Sequence, residues 1–417
     1  MRFVAMRFLA ITAAAVFVGG AGGTVARADT VKIAVIENLS GPGSTTNREF
    51  ALATRYWVEE IKARGGIRGG SIEYLEYDSQ GATATAAEKF RSAVADGAHI
   101  IVQGGSSGIA GQLTEDVRKH NIRNPSQPIL YINPGSEALE LTGDKCHFYF
   151  FRFATNADMR VKGLVTVMKQ AGDLGAKVFS INQNYSWGKD MQGAIDGHAA
   201  LGGYAVVDRV LHDTNKIQDF GPYIARIKSS GADTVITGNW ASDLVLLMKE
   251  VSTSGLKVQF GTMFLDLPGS LESAGPAALG YYTVESSNKE VGGDAMLALY
   301  GDYNKKLGHE PSSSETRTLF AMQTLEAALS TLDLSKKIEV TAIARALEKA
   351  KIATPVGEIS VRPEDHQAVV PLIISKVSPD AKYKRAGLSL GFKPVRVMAG
   401  PEAVNPVQAS CKMDRPS

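Results

Sequence analysis

Short β-branched runs alternate with amphipathic helical stretches along almost the whole chain, and that alternation constrains the fold more than any other feature. Residues 31–36 read as a strand. Residues 50–62 read as a helix, with Phe50, Ala53, Trp57 and Ile61 at helical spacing, and Gly65-Gly66 stops it. Strands at 72–77, 100–102 and 129–132 alternate with helices at 83–95 and 109–120. Strands separated by helices are joined by crossovers rather than hairpins, so the pattern predicts an α/β fold with an open parallel sheet and helices on both faces.

The pattern then restarts. An extended stretch at 148–153 leads to a helix at 157–170. Strands at 178–181, 205–210, 234–237 and 258–260 follow, with helices at 189–200, 220–229 and 244–251 between them. Helices at 295–306, 315–332 and 341–350 precede what read as paired strands at 358–361 and 369–377. No long Gly/Ser spacer separates the two sets, which predicts two lobes joined by short connections and able to close on each other.

The N-terminus carries an address. Arg2 and Arg7 precede an apolar run at 8–18, and small residues lead to Ala26-Arg27-Ala28. This is the order of a cleaved secretory signal, with the mature chain expected from Asp29. The run is shorter than the roughly 20 residues a membrane span needs. No Cys at the junction suggests a lipid anchor, so a soluble exported protein in the periplasm is expected. Arg2, Arg7 and Arg27 leave with the leader, so 42 basic residues face 43 acidic ones. That balance excludes a basic field for nucleic acid. About 390 residues remain, too many for one core. Cys146 and Cys411 make an even pair in an oxidising compartment, which favours a disulfide. The seven His residues show no metal-ligand spacing with the Cys, so neither metal nor other cofactor is expected.

After the strand at 100–102 the chain reads Gly104-Gly105-Ser106-Ser107-Gly108, and a helix follows. Taken literally this is G-x-S-x-G between strand and helix, the setting of a hydrolase nucleophile, with Ser106 as nucleophile and His309 or His366 as candidate base. The same atoms also make a donor-rich turn at a helix start, favourable to an anion. Asn133-Pro134-Gly135-Ser136 makes a second such turn. Two of them at the ends of parallel strands form one ligand-binding edge.

These turns, together with Leu39-Ser40-Gly41-Pro42, Gly65-Gly66-Ile67-Arg68-Gly69, Tyr185-Ser186-Trp187-Gly188 and Gly238-Asn239-Trp240, fall in one order. The ordered set resembles the type I periplasmic binding proteins, relatives of the leucine/isoleucine/valine-binding protein that deliver solutes to ABC importers. The resemblance implies two Rossmann-like lobes with parallel sheets, three crossover strands and a ligand clamped between the lobes. It implies a first lobe at 29–153 plus 286–353, a second at 154–285 plus 354–400, and a tail at 401–417. It further implies a binding protein without catalysis, monomeric, with a small-molecule ligand and an ABC permease as partners. A periplasmic sensor presenting its ligand to a membrane receptor is the alternative, and the Ser106 hydrolase a remote one.

By the same resemblance Ser106 and Ser107 hold a ligand carboxylate, and Gly135, Ser136 and Glu137 add contacts. Trp187, Trp240, Tyr185 and Phe264 offer aromatic surface, and Ser44 to Asn47 lie in a first loop that often reaches the ligand. Amino-acid binders of the family carry an acidic residue where Met263 or Phe264 falls here. A buried ammonium without an anion is costly, so Asp266, Asp243 or Glu137 would have to replace it. The expected ligand is therefore an aromatic or branched carboxylate, benzoate-like or phenylpropenoate-like, or an amino acid. Urea and short amides are further classes. A ring between Trp187 and Trp240 would gain about 0.5–1.5 kcal/mol per aromatic pair.

Overall fold

The computed structural model describes residues 30–416. The leader and its junction at Ala28 lie outside them. Five strands, β1 (Thr30–Glu37), β2 (Ser71–Asp78), β3 (Ile100–Val102), β4 (Leu130–Asn133) and β5 (Phe150–Arg152), form a parallel sheet in the order β2-β1-β3-β4-β5. Helices α1 (Ser44–Ala63), α2 (Thr83–Ala95) and α3 (Ser107–Arg123) connect them. β3 and β4 are buried at every position, as strands covered on both faces must be.

The second half runs α4 (Ala157–Ala171), β6 (Lys177–Gln183), α5 (Ser186–Gly197), α6 (Ala199–Gly202), β7 (Ala205–His212) and α7 (Gly221–Ser230). It continues through β8 (Thr234–Thr237), α8 (Ala241–Ser254), β9 (Gln259–Thr262), α9 (Ser270–Ala274) and β10 (Tyr282–Glu285). The chain then returns with α10 (Gly293–Leu307), α11 (Ser313–Leu329) and α12 (Val340–Leu347). Strands β11 (Lys351–Thr354), β12 (Gly357–Val361) and β13 (Ala368–Val369) form a small antiparallel sheet. Strands β14 (Leu372–Ser378) and β15 (Gly391–Met398) complete the second large sheet, in the order β15-β14-β10-β9-β8-β6-β7, and α13 (Gly400–Ala403) follows. In that sheet β14 pairs antiparallel with both β10 and β15, and the other pairs are parallel.

Burial sorts these elements into two lobes. Val31, Trp57, Met296, Phe320, Ile343 and Val361 share the first lobe's main cluster. Val161, Leu164, Ile236, Met263 and Ile374 share one in the second. The chain crosses three times, after β5, after β10 and between β13 and β14.

Two expectations are corrected here. Residues 354–369 pack with the first core rather than the second, because Ile359, Val361 and Ala368 are buried against it. The expected strand at 369–377 is two strands: β13 pairs with β12, and β14 pairs with β10 in the other sheet. Pro371 lies between them and has no N–H for a ladder. The third crossing is that break.

Cys146 and Cys411 are bonded, 265 residues apart. The tail beyond α13 lies on the first lobe, where Arg415 pairs with Glu348 at 2.6 Å.

Candidate functional site

The ends of the parallel strands in the two lobes face each other across a cleft. On the first lobe β1 ends at Glu37, directly beneath the turn that follows β3. Glu37 Oε1 accepts the backbone N–H groups of Gly104 at 2.5 Å and Gly105 at 3.1 Å. Full burial raises this carboxyl to about 8, against the lowering effect of those bonds. In the next turn Asn133 Oδ1 accepts the N–H of Gly135 at 2.9 Å and of Ser136 at 2.7 Å. Ser136 Oγ donates to Gly104 O at 3.1 Å, tying the turns together. Ser107 Oγ accepts the N–H groups of Glu137 and Ala138 at 3.1 and 3.2 Å.

This network changes the expected role of the turns. The amides of Gly104, Gly105, Gly135 and Ser136 all point at protein acceptors. Ser136 donates its hydroxyl internally as well. Ser107 is different: both acceptor sites of its oxygen are occupied, so its proton is free to point into the cleft. The turns are also pressed together. A Cβ on Gly135 would stand 2.5 Å from Gly104 O and 2.4 Å from Phe50 Cζ.

The second lobe supplies an aromatic wall from the N-terminal ends of two helices. Tyr185 and Trp240 are the residues just before α5 and α8, and Trp187 is in the first turn of α5. The Trp187 indole N–H donates to Gly238 O at 2.8 Å, and that of Trp240 to Tyr185 Oη at 2.7 Å. Both indoles are thus satisfied by protein and offer only their apolar surface. Phe264 packs against Trp187 at 5.5 Å between centroids.

An ion-pair network lies beside this wall. Glu137 Oε1 accepts from Arg160 Nη2 at 2.8 Å and from Arg317 Nη1 at 2.6 Å. Arg160, on α4, also donates through Nε to Thr155 Oγ1 and through Nη1 to the carbonyls of Met263 and Val284. Arg160 therefore joins the first and second crossings to a first-lobe carboxylate. Burial pulls the Arg317 guanidinium below its ordinary range, and Glu137 opposes that pull.

Between the lobes these groups enclose a cavity of about 40 Å³. Its lining brings together Ser107, Gly135, Ser136, Glu137, Tyr185, Trp187, Trp240 and Phe264 from the sequence-predicted set. Ser106, Met263 and Asn47 lie outside it. Ser106 precedes α3, and its carbonyl accepts Ala110 N–H at 2.8 Å. The Met263 side chain is fully buried in the second core, while its neighbour Phe264 faces the cavity. Asn47 lies in the first turn of α1, which starts at Ser44 rather than at residue 50, and donates to Gly43 O at 2.9 Å.

Thr46, Phe50, Leu267, Ser314, Arg317 and the backbone of Gly104 and Gly105 complete the lining. The sequence reading reached Thr46 through the first loop but missed Phe50, Ser314 and Arg317, which α1 and α11 carry in from distant segments, and Leu267, which lies between β9 and α9. A lone Arg317 within a helix signals nothing about the cleft. Of the three acids weighed as ammonium partners, Glu137 alone lines the cavity. Asp243 is taken up by Gln183 Nε2 at 2.6 Å and Asn215 N–H at 2.8 Å. Asp266 lines a neighbouring cavity with Glu49 and Glu285.

No hydrolase relay is assembled from the histidines weighed for it. His309 is held by Glu315 at 3.0 Å and His366 by Glu348 at 2.7 Å. The lobes are in contact beside the cavity: Asp190, on α5, accepts the N–H of first-lobe Leu139 at 2.7 Å.

Residues 30–382 match the family described as periplasmic binding protein. The Leu/Ile/Val-binding protein homolog 4 of Brucella melitensis is 47% identical over 407 residues, 97% of each chain. A Brucella ovis leucine-, isoleucine-, valine-, threonine- and alanine-binding protein, solved in its closed conformation, is 48% identical. It superposes with a TM-score of 0.87 over 93% of this chain and 100% of its own. A Rhodopseudomonas palustris solute-binding protein in complex with benzoate, 19% identical, shares the fold at a TM-score of 0.78 over 92% of this chain and 100% of its own. Family membership implies a periplasmic location, and no helix among the described residues is long and apolar enough to cross a membrane. The two lobes, the cavity at their junction and these likenesses meet in one conclusion: this chain belongs to the type I periplasmic solute-binding proteins of the leucine/isoleucine/valine-binding family.

Proposed function

We propose that this protein captures a small aliphatic α-amino acid, or a branched carboxylate of similar size, and hands it unaltered to an ABC permease. The observation that carries this reading is the cavity between the lobes, apolar and aromatic on one side and polar on the other. Its size argues for a compact ligand. A water needs about 10–15 Å³ of such space, so 40 Å³ holds about three. The names of the relatives at 47% and 48% identity point the same way. The protein acts as a monomer without catalysis, exported by a leader cleaved after Ala28. Ligand bridges the lobes and favours the closed form that the permease reads.

Calorimetric titration with L-leucine, L-isoleucine, L-valine, L-threonine, L-alanine and benzoate tests it. Saturable binding of one or more aliphatic amino acids at micromolar concentration, about −8 kcal/mol, is the expected result. Binding of benzoate with none of the amino acids would overturn the ligand class.

A further inference from the structure

Among the charged side chains that line the cavity, two buried atoms are left without a hydrogen-bond partner, and they carry opposite charge. Arg317 Nε and Glu137 Oε2 have no hydrogen-bond partner among the described residues. Arg317 is 6% exposed and Glu137 2%. Both line the cavity. Buried polar atoms without a partner are rare in folded proteins and call for an explanation. Glu137 Oε2 stands 2.6 Å from Arg160 Nε in an ion pair whose geometry makes no hydrogen bond. It is therefore charge-compensated and still able to accept. Arg160 has every nitrogen engaged and offers nothing to a ligand.

We propose that Arg317 and Glu137 together read the head group of an α-amino acid, Arg317 Nε donating to its carboxylate and Glu137 Oε2 accepting from its ammonium. This deepens the amino-acid reading above and rests on it. The two side chains are already joined through Arg317 Nη1 and Glu137 Oε1 at 2.6 Å. Joined in this way, they place a donor of positive charge next to an acceptor of negative charge. A zwitterion has the complementary pair on adjacent atoms.

The charge balance sets an order of ligands. One carboxylate faces two guanidinium groups at the cavity wall, and Asp266 acts on both guanidinium groups from the neighbouring cavity. A zwitterion brings no net charge and satisfies both open atoms. A carboxylate alone satisfies one of them. An amine alone satisfies only Glu137 Oε2 and stands beside two guanidinium groups. The turn amides do not alter this order, because Glu37 and Asn133 hold them. The acid missing near Met263 is then replaced from the other lobe.

The test uses the whole mature protein and three probes: L-leucine, 4-methylpentanoate, which lacks the ammonium, and 3-methylbutylamine, which lacks the carboxylate. Unaltered protein should bind L-leucine at least a hundredfold more tightly than either analogue, with the amine weakest. Glu137→Gln should narrow the gap between L-leucine and 4-methylpentanoate at least tenfold. Arg317→Gln should weaken both carboxylates at least tenfold and leave the amine no weaker. Ratios between ligands do not depend on the fraction folded, so a destabilised variant still reports. If a variant does not fold, the three-probe series on the unaltered protein decides alone. Equal affinity for L-leucine and 4-methylpentanoate, or ratios unchanged in both variants, would overturn the assignment while amino-acid binding stands. Failure of the unaltered protein to bind any aliphatic amino acid would overturn the ligand class and this assignment together.

Discussion

The carboxylate of Glu37 accepts the backbone N–H of Gly104 at 2.5 Å from directly below the turn that lines the cavity. Its pKa, raised by burial to about 8, makes that support depend on pH. The folded protein holds this proton between the ordinary carboxylate range and pH 8, and the unfolded chain does not. Stability therefore falls as pH rises through that window and levels off above it. Glu37→Gln should remove this slope. Denaturant unfolding at pH 5 and pH 9 should show the difference between the two pH values shrinking by at least about 1 kcal/mol, given about 1.4 kcal/mol per pKa unit. An identical slope in the variant would show that Glu37 stays ionised.

Gly135 tests how tightly the two first-lobe turns are pressed together. A methyl group there would meet Gly104 O at 2.5 Å and Phe50 at 2.4 Å. Phe50 can rotate, but the backbone carbonyl cannot retreat without moving its turn. Gly135→Ala should destabilise by about 1–3 kcal/mol, the usual range for overpacking. It should also weaken ligand binding. A melting temperature and affinity matching the parent would contradict the packing described.

The two tryptophans test the aromatic wall. Trp187→Ala and Trp240→Ala should each weaken binding at least tenfold, about 1.4 kcal/mol, by calorimetry. Trp240→Phe should lose less, because the indole N–H bonds to Tyr185 rather than facing the cavity. Full affinity in both alanine variants would remove the wall from the site.

Asp190 isolates closure from ligand contact. It lies outside the cavity lining yet bonds Leu139 across the lobes at 2.7 Å. Hydrogen bonds to charged groups contribute about 1.5–3 kcal/mol, and solvent reduces that for a half-buried carboxylate. Asp190→Ala should lower affinity several-fold while leaving the ranking of ligands unchanged. Scattering in the presence of ligand should show a larger open fraction than in the parent.

The disulfide closes a loop of 265 residues. Long loops give a bond of this kind about 2–4 kcal/mol in typical measurements. Cys146→Ser, Cys411→Ser and the double variant should destabilise to the same extent, since each removes one bond. Non-reducing peptide mapping of the parent should recover the Cys146–Cys411 pair.

What could be read from the amino acids alone follows from how locally each feature is encoded. The alternation of strand and helix needs only neighbours in sequence, so β1 to β4 and their helices were legible within a few residues. The first turn of α1 was not. It buries Ser44, Thr46 and Asn47, of which Thr46 lines the cavity, and a search for apolar periodicity passes over buried polar residues. β15 contains Pro394, tolerated at the sheet edge beside a register shift in its pairing with β14. The Gly-Ser turns were found, but not that Glu37 and Asn133 take up their amides. Arg317 was invisible because only the return of α11 to the first lobe brings it beside Glu137.

The break at Pro371 also fixes an order of events. Because the peptide returns to its starting half before leaving it again, neither half corresponds to one uninterrupted stretch. Val361 and Ala368 complete a core that Val31 begins, so synthesis is almost over before that interior can be sealed. A polypeptide arranged in this way stays threadable until nearly its last residues exist, and the Cys411 bond fastens it only after that.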